Sequence, residues 1–220
     1  TGSRFLRGVN CVGGVALDLS GLQLAQVEVE LNALEQDFSA IEKIVFANAS
    51  LTERLENTGI LTEGIAWDHA VIGVVGRASG IDRDLRRDRP FAAYDVLQPK
   101  VALYRYGDVR ARMRVRLDEI HESIRLIREV RRGLPLGRLV TRPMHEAQPG
   151  VWALSAVEGW RGEILYVVMA GDADRIHRCK VRDPSFVNWP AIQWAALGNI
   201  VPDFPLINKS FNLSYAGNDL

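Results

Sequence analysis

Two hydrophobic stripes of period 3.5 constrain this 220-residue chain more than any other feature. Leu24, Val27, Leu31, Leu34, Phe38, Ile41 and Val45 follow one another in alternating steps of three and four. That spacing lines one face of a helix with apolar side chains. Ser20 ahead of the run suits an N-cap and Gly59 beyond it a stop, so the pattern predicts one helix over about 20–56. Its other faces carry Glu28, Glu30, Glu35 and Asp37. The second stripe is Val109, Met113, Leu117, Ile120, Ile124 and Ile127, with Asp108 before it and Gly133 and Pro135 after it. It predicts a helix over about 108–132. Arg110, Arg112, Arg114 and Arg116 crowd its first half, where the helix dipole is also positive. An acidic first helix packed antiparallel is expected to supply acidic partners for some of them. Two helices of this length point to the core of a helical bundle.

Between the stripes, residues 61–69 suggest a short helix. Gly73, Gly76, Gly80 and Pro90 then punctuate a stretch dense in charge: Arg77, Asp82, Arg83, Asp84, Arg86, Arg87, Asp88 and Arg89. A long irregular segment inside a compact domain commonly carries function or a partner surface. Two readings stay open here, an exposed salt-bridged loop and a buried Arg/Asp network beside a site. The stretch "GVVGRASG" lacks the Gly-Lys-Ser/Thr ending of a phosphate loop. After Pro149, "VWALSAVEGW", "GEILYVVMAG" and "RIHRCKVRD" read as a three-stranded meander, with Arg161 and Glu163 as an ordinary hairpin pair. "NWPAIQWAALGN" reads as a helix with Pro190 in its first turn and Gly198 at its end. The closing segment, "IVPDFPLINKSFNLSYAGNDL", holds too many large apolar groups to stay in water, and a buried tail is expected. The fold class that follows is α+β, mainly α. One domain over 1–220 is expected, with a bundle over 1–148, a β-meander over 149–185, and a helix and returning tail over 186–220.

Charge narrows the function classes. The 27 basic and 27 acidic residues cancel, which argues against a general nucleic-acid binder. Residues 77–138 carry 16 basic against 9 acidic groups and are flanked by more acidic segments; the segments are expected to neutralise one another on folding. No apolar run approaches the roughly 20 residues needed to span a bilayer, so a membrane would be met through partners. Cys11 and Cys179 have neither disulfide-framework nor zinc spacing and are expected as reduced thiols in a cytoplasmic protein. His69, His121, His145 and His177 show no ligand spacing and are expected at the surface or in packing. The chain opens "TGSRFLRG" without Met, and a piece of a longer polypeptide is expected.

The ordered series "GIAWDHAVIGVVGRASGIDRDLRRDRPFAAYD", a long helix, and "EGWRGEILYVVMAGDADRIHRCKVRDPSFVNW" resembles one superfamily. It is similar to the large subunit of energy-converting nickel–iron hydrogenases of the formate hydrogenlyase kind, and to the 49 kDa subunit of respiratory complex I. The resemblance runs from about Arg4 to the end and corresponds to the C-terminal part of such a subunit. It implies a helical bundle with a β excursion and a C-terminal segment returning to the bundle. In the hydrogenases that segment carries a Cys-x-x-Cys pair for nickel and iron. Here "NLSY" falls on the motif, with Asn212 and Tyr215 where the two cysteines would stand. A carbonyl oxygen and a phenol are poor substitutes for soft bridging thiolates, so no metal ligand set is expected and no cofactor is expected on this chain. The resemblance places Arg77, Ser79, Asp84 and Arg86 near the old active site, as catalytic candidates or as an ion-pair network holding a loop. Asp203 is expected as a structural acceptor. The implied function is an oxidoreductase subunit of a membrane-associated complex that couples electron transfer, with quinone as a candidate acceptor, to ion movement. An iron–sulfur small subunit would be its partner, and its place the inner face of the cytoplasmic membrane. The alternative is a non-catalytic assembly subunit in which Phe211 and Tyr215 pack the vacated metal cavity.

Overall fold

The computed structural model describes residues 7–135, 137, 139–141, 147–173 and 175–219. The chain opens with a small hairpin, β1 (Asn10–Cys11) and β2 (Gly14–Val15), which the sequence patterns did not predict. The first stripe then forms α1 (Gly21–Ala47), started by a full capping box between Ser20 and Gln23. The expected single helix over 20–56 is two helices. Asn48 ends α1 and caps α2 (Ala49–Leu55) through its side-chain oxygen, which accepts from the Leu51 amide at 3.0 Å. Asn competes well for backbone amides at a cap, and its φ of −86° with ψ of 97° leaves the helical region.

The short helix expected over 61–69 is α3 (Glu63–Asp68), and further short helices fill the stretch read from sequence as irregular: α4 (Gly73–Ala78), α5 (Leu85–Asp88) and α6 (Tyr94–Leu97). Every residue of α4 is buried. The second stripe is α7 (Val109–Arg132), capped by Asp108 and closed at Gly133. The meander follows as β3 (Trp152–Gly159), β4 (Gly162–Ala170) and β5 (Ile176–Arg182), an antiparallel sheet in the order β3-β4-β5. The helix expected around Pro190 is shorter than its pattern: α8 (Pro184–Asn188), a 3-10 turn over Trp189–Ala191 and α9 (Ile192–Ala196). Pro190 brings no amide to donate. The tail turns through Val201–Asp203 into α10 (Phe204–Phe211) and ends in α11 (Tyr215–Asn218).

The core joins segments from across the chain. Leu61, Ala66, Val71, Val75, Val109, Ala191, Ala195, Ile207 and Phe211 form one buried cluster. The tail therefore does return into the fold, through Ile207 and Phe211 on one face of α10. By contrast α1 buries only Leu31, while Leu34 and Ile41 of its own stripe are more than half exposed. The antiparallel packing of α1 on α7 is present in its ion pairs: Glu28 to Arg128 and Arg131, Glu35 to Arg128, and Glu42 to His121. Among the described residues, the acidic side chains of this part of the chain pair with only one of the four crowded arginines, Arg110, through Glu56 on the residue after α2. Arg114 meets α1 through an aromatic ring, lying over Phe46 at 5.3 Å, whereas Arg112 and Arg116 turn to the core and the tail.

Candidate functional site

Asn188 sets the entry of α4. Its side-chain oxygen accepts from the Ile72 amide at 3.0 Å and its amide donates to the Ile72 carbonyl at 3.1 Å. Gly73 follows at φ 66°, and a Cβ there would lie 2.0 Å from the Arg161 carbonyl oxygen. Only a glycine lets the two backbones meet so closely. The contact pins the tight β3–β4 turn, Trp160 and Arg161 between paired Gly159 and Gly162, onto the start of α4. Glu158 is thereby carried over Arg77.

Arg77 has a side chain only 1% exposed and gathers three carboxylates. It donates to Glu119 at 2.6 Å, to Glu158 at 3.0 Å and to the Arg83 carbonyl at 3.2 Å. Asp84 lies 3.5 Å away and is also gripped by Arg86, whose Nε and Nη2 donate to its two oxygens at 2.9 and 2.6 Å. Asp84 further caps α5 through the Arg86 amide. Burial alone would drive these groups neutral, and their partners decide the outcome. Burial pulls Arg77 down, but Glu119, Glu158 and Asp84 more than reverse it. Burial pushes Asp84 up, yet Arg86 and Arg77 hold it below the usual carboxylate range. Glu158 goes the other way, because burial, with repulsion from Asp84, outweighs Arg77 and raises it. Glu158 is thus the carboxylate in this network that most readily accepts a proton.

The network floors a cleft of about 300 Å³ lined by Arg77, Arg86, Glu119 and Glu158 together with Arg116, Tyr94, Ile120 and Trp160. Aromatic and aliphatic side chains form one part of its wall and charged groups the rest. Its far side meets the tail. Arg116 donates to the Phe211 carbonyl at 3.3 Å, and Arg161, stacked on Trp160 with 4.3 Å to the ring, donates to the Asn212 carbonyl at 2.6 Å. Arg112, fully buried, donates to the Gly59 and Gly107 carbonyls and to Ser210, and lies over the Phe211 ring at 4.6 Å.

Of the sequence candidates, Arg77, Asp84 and Arg86 come together in this cleft. Ser79 is buried but does not line it, and its hydroxyl has no hydrogen-bond partner among the described residues. Asp82, Arg87 and Asp88 pair with one another at the surface, so the charged stretch contains both a buried network and an exposed one. Asn212 closes α10 in the left-handed conformation at φ 54° and ψ 46°, a role Asn fills readily. Tyr215 is 72% exposed and stacks on Trp189 at 5.2 Å between ring centroids. It does not pack a vacated cavity with Phe211, because the turn at Asn212 sends the chain back toward α8. Arg161 and Glu163 are not a hairpin pair, since Arg161 holds the tail while Glu163 binds Arg83 and Arg182. Asp203 forms an ion pair with Arg54 and accepts a hydrogen bond from the Ile200 amide. His121 bonds Glu42, His69 lies against Trp194, and His177 is exposed; His145 lies outside the described residues. Cys11 and Cys179 are exposed free thiols on separate strands. Sequence reasoning missed Glu119, Glu158 and Arg116. The available signal was the buried charge of Arg77 itself, which requires carboxylates from elsewhere.

No helix among the described residues is long and apolar enough to cross a membrane. The chain matches the family model of the respiratory-chain NADH dehydrogenase 49 kDa subunit over residues 1–151 and 145–219. It is 30% identical over 219 residues to formate hydrogenlyase subunit 5 of Escherichia coli (strain K12), covering 100% of this chain and 38% of that protein. To the carbon monoxide-induced hydrogenase of Rhodospirillum rubrum it is 32% identical over 212 residues, covering 96% of this chain and 58% of that one. A chain in the structure of a membrane-bound sulfane sulfur reductase, an archaeal respiratory membrane complex, superposes with a TM-score of 0.85 at 25% identity, covering 94% of this chain and 58% of that one. The chain thus spans between 38% and 58% of the length of these proteins.

Proposed function

The chain belongs to the family of the respiratory-chain NADH dehydrogenase 49 kDa subunit, and from that premise we propose that it forms one wall of a redox cavity in a membrane-associated oxidoreductase complex. The complex couples electron transfer to ion movement. An iron–sulfur subunit faces the cavity, and a quinone or similar small carrier enters it. The chain is held at the inner face of the cytoplasmic membrane by its partners. The observation that carries this reading is the open cleft, where a buried charge network meets aromatic walls beside the tail.

In this reading the subunit works without a nickel–iron centre. The side chains at the positions of the two tail thiolates do not fit one, since Asn212 is a left-handed helix cap and Tyr215 points to solvent against Trp189. Such a centre needs soft bridging ligands. The protein's own contribution is then positioning and proton handling. Trp160, Tyr94 and Ile120 offer a surface for a planar carrier, and Glu158, raised by its burial, is the carboxylate placed to relay protons to it.

Metal analysis of the full-length subunit, purified within its native complex and separated from the iron–sulfur partner, tests the reading. Nickel at trace level is expected, and nickel near one per chain overturns it. In the intact complex, Trp160→Ala should raise KM for a short-chain quinone with a smaller effect on kcat. An unchanged KM would remove the carrier from this cleft.

A further inference from the structure

The two ends of the cleft differ in how their arginines are neutralised. At the floor, Arg77 and Arg86 share Asp84, Glu119 and Glu158, so positive charge is fully met. At the tail end neither Arg116 nor Arg161 has a salt-bridge partner among the described residues. Arg116 donates only to the backbone carbonyls of Arg112 and Phe211, and its Nε is buried without a partner. Only the Nε of Arg161 is engaged in hydrogen bonding among the described residues, by the Asn212 carbonyl. Because they hold carbonyls one residue apart, the two guanidinium groups converge on the same turn of backbone. Their proximity is felt electrostatically: burial, and then the charge of Arg161, pull Arg116 down to about 10, although Glu119 acts in the other direction. Glu119 is already held by Arg77 at 2.6 Å.

Like charges brought together with no salt bridge of their own among the described residues, and with their nearest carboxylate, Glu119, already held by Arg77, favour a counter-ion. Guanidinium groups with spare N–H donors suit carboxylates and oxyanions in particular. We propose that Arg116, which lines the tail end of the cleft, and Arg161, which lies beside it on Trp160, form a subsite for a small anion, a carboxylate or oxyanion group. The subsite is independent of whether a quinone is the electron carrier. It would anchor the anionic end of a substrate or effector, with Trp160 alongside and Glu158 across the cleft.

Equilibrium dialysis of the intact complex with radiolabelled sulfate and radiolabelled acetate, at constant ionic strength, tests this. Saturable binding of at least one of the two is expected. Arg161→Gln should weaken it by about tenfold or more, as loss of a charge-assisted hydrogen bond does. Arg161→Lys should retain most of it, and Arg175→Gln, in the exposed β4–β5 connection, should leave it unchanged. Saturable binding of neither anion, equal binding by Arg161→Gln, or equal loss in Arg175→Gln overturns the proposal. A second measurement uses the unmodified complex, in case Arg161→Gln does not fold. The bound anion should slow phenylglyoxal modification of Arg161, read by mass spectrometry, and an unchanged rate counts against the subsite.

Discussion

Two of the arginine–carboxylate networks in the described residues lie under opposite conditions. Along the seam between α1 and α7, Arg128 and Arg131 meet Glu28 and Glu35 with every partner at least 21% exposed. Under the cleft, Arg77, Asp84 and Glu158 are at most 4% exposed. Water competes for each group at the seam, so the pairs mark the antiparallel register of the two helices and stabilise it little. In the buried network no water takes over a lost contact, so each group depends on all the others. The lesson is that a buried network fixes one arrangement of α4, α5, α7 and the β3–β4 turn, whereas an exposed one tolerates many.

The largest expected effect comes from removing the hub. Arg77→Met in the full-length subunit leaves Glu158 buried without its cation and Asp84 with Arg86 alone, and should cost about 3–5 kcal/mol, measured by denaturant unfolding. A cost as small as that of a surface pair would erase the distinction between the two networks. Asn188→Leu asks whether burial matters without charge. It strands the Ile72 amide and carbonyl and should cost about 1–3 kcal/mol for each group left unsatisfied.

The pH dependence separates the buried carboxylates. Glu158 is raised on folding, so its favourable contribution is present below the unfolded value near 4.5 and is lost as pH rises through its folded value. Asp84 is lowered, so its contribution is present above the unfolded value near 3.8 and is lost as pH falls through its folded value. Acidification from neutrality should therefore first relieve the strain at Glu158 and then, below about 4, destabilise through Asp84. Glu158→Gln should abolish the first phase and keep the second, as followed by melting temperature against pH. The smallest effect belongs to the seam. Glu28→Gln should shift the melting temperature least of these variants, and the shift should shrink further as salt is raised.

Much of the helical frame was legible because it depends on local rules. The stripes gave α1 and α7, Ser20 and Asp108 gave their starts, and alternation with punctuating glycines gave the three strands. The break at Asn48 was missed because the apolar spacing continues up to it and only the cap geometry interrupts the helix. The shortened helices around Pro190 were missed for a related reason, since tertiary contacts outweighed a helical pattern. Of the candidate site, Arg77, Asp84 and Arg86 were visible as one dense block. Glu119 looked like an ordinary outward-facing residue of a helix, and Glu158 like a strand end.

The sequence by itself determined the two long helices, the three-stranded meander, the family and the excess of positive charge in the middle third. These follow from periodicity, capping and counting, which act within a few residues. Only the tertiary structure decided which charges are neutralised. The Gly73–Gly162 contact lowers Glu158 onto Arg77, and the left-handed turn at Asn212 aims Tyr215 at solvent. It also leaves two carbonyls to Arg116 and Arg161. Those outcomes depend on groups between roughly fifty and a hundred residues apart meeting in a low-dielectric place, and no local pattern encodes such a meeting.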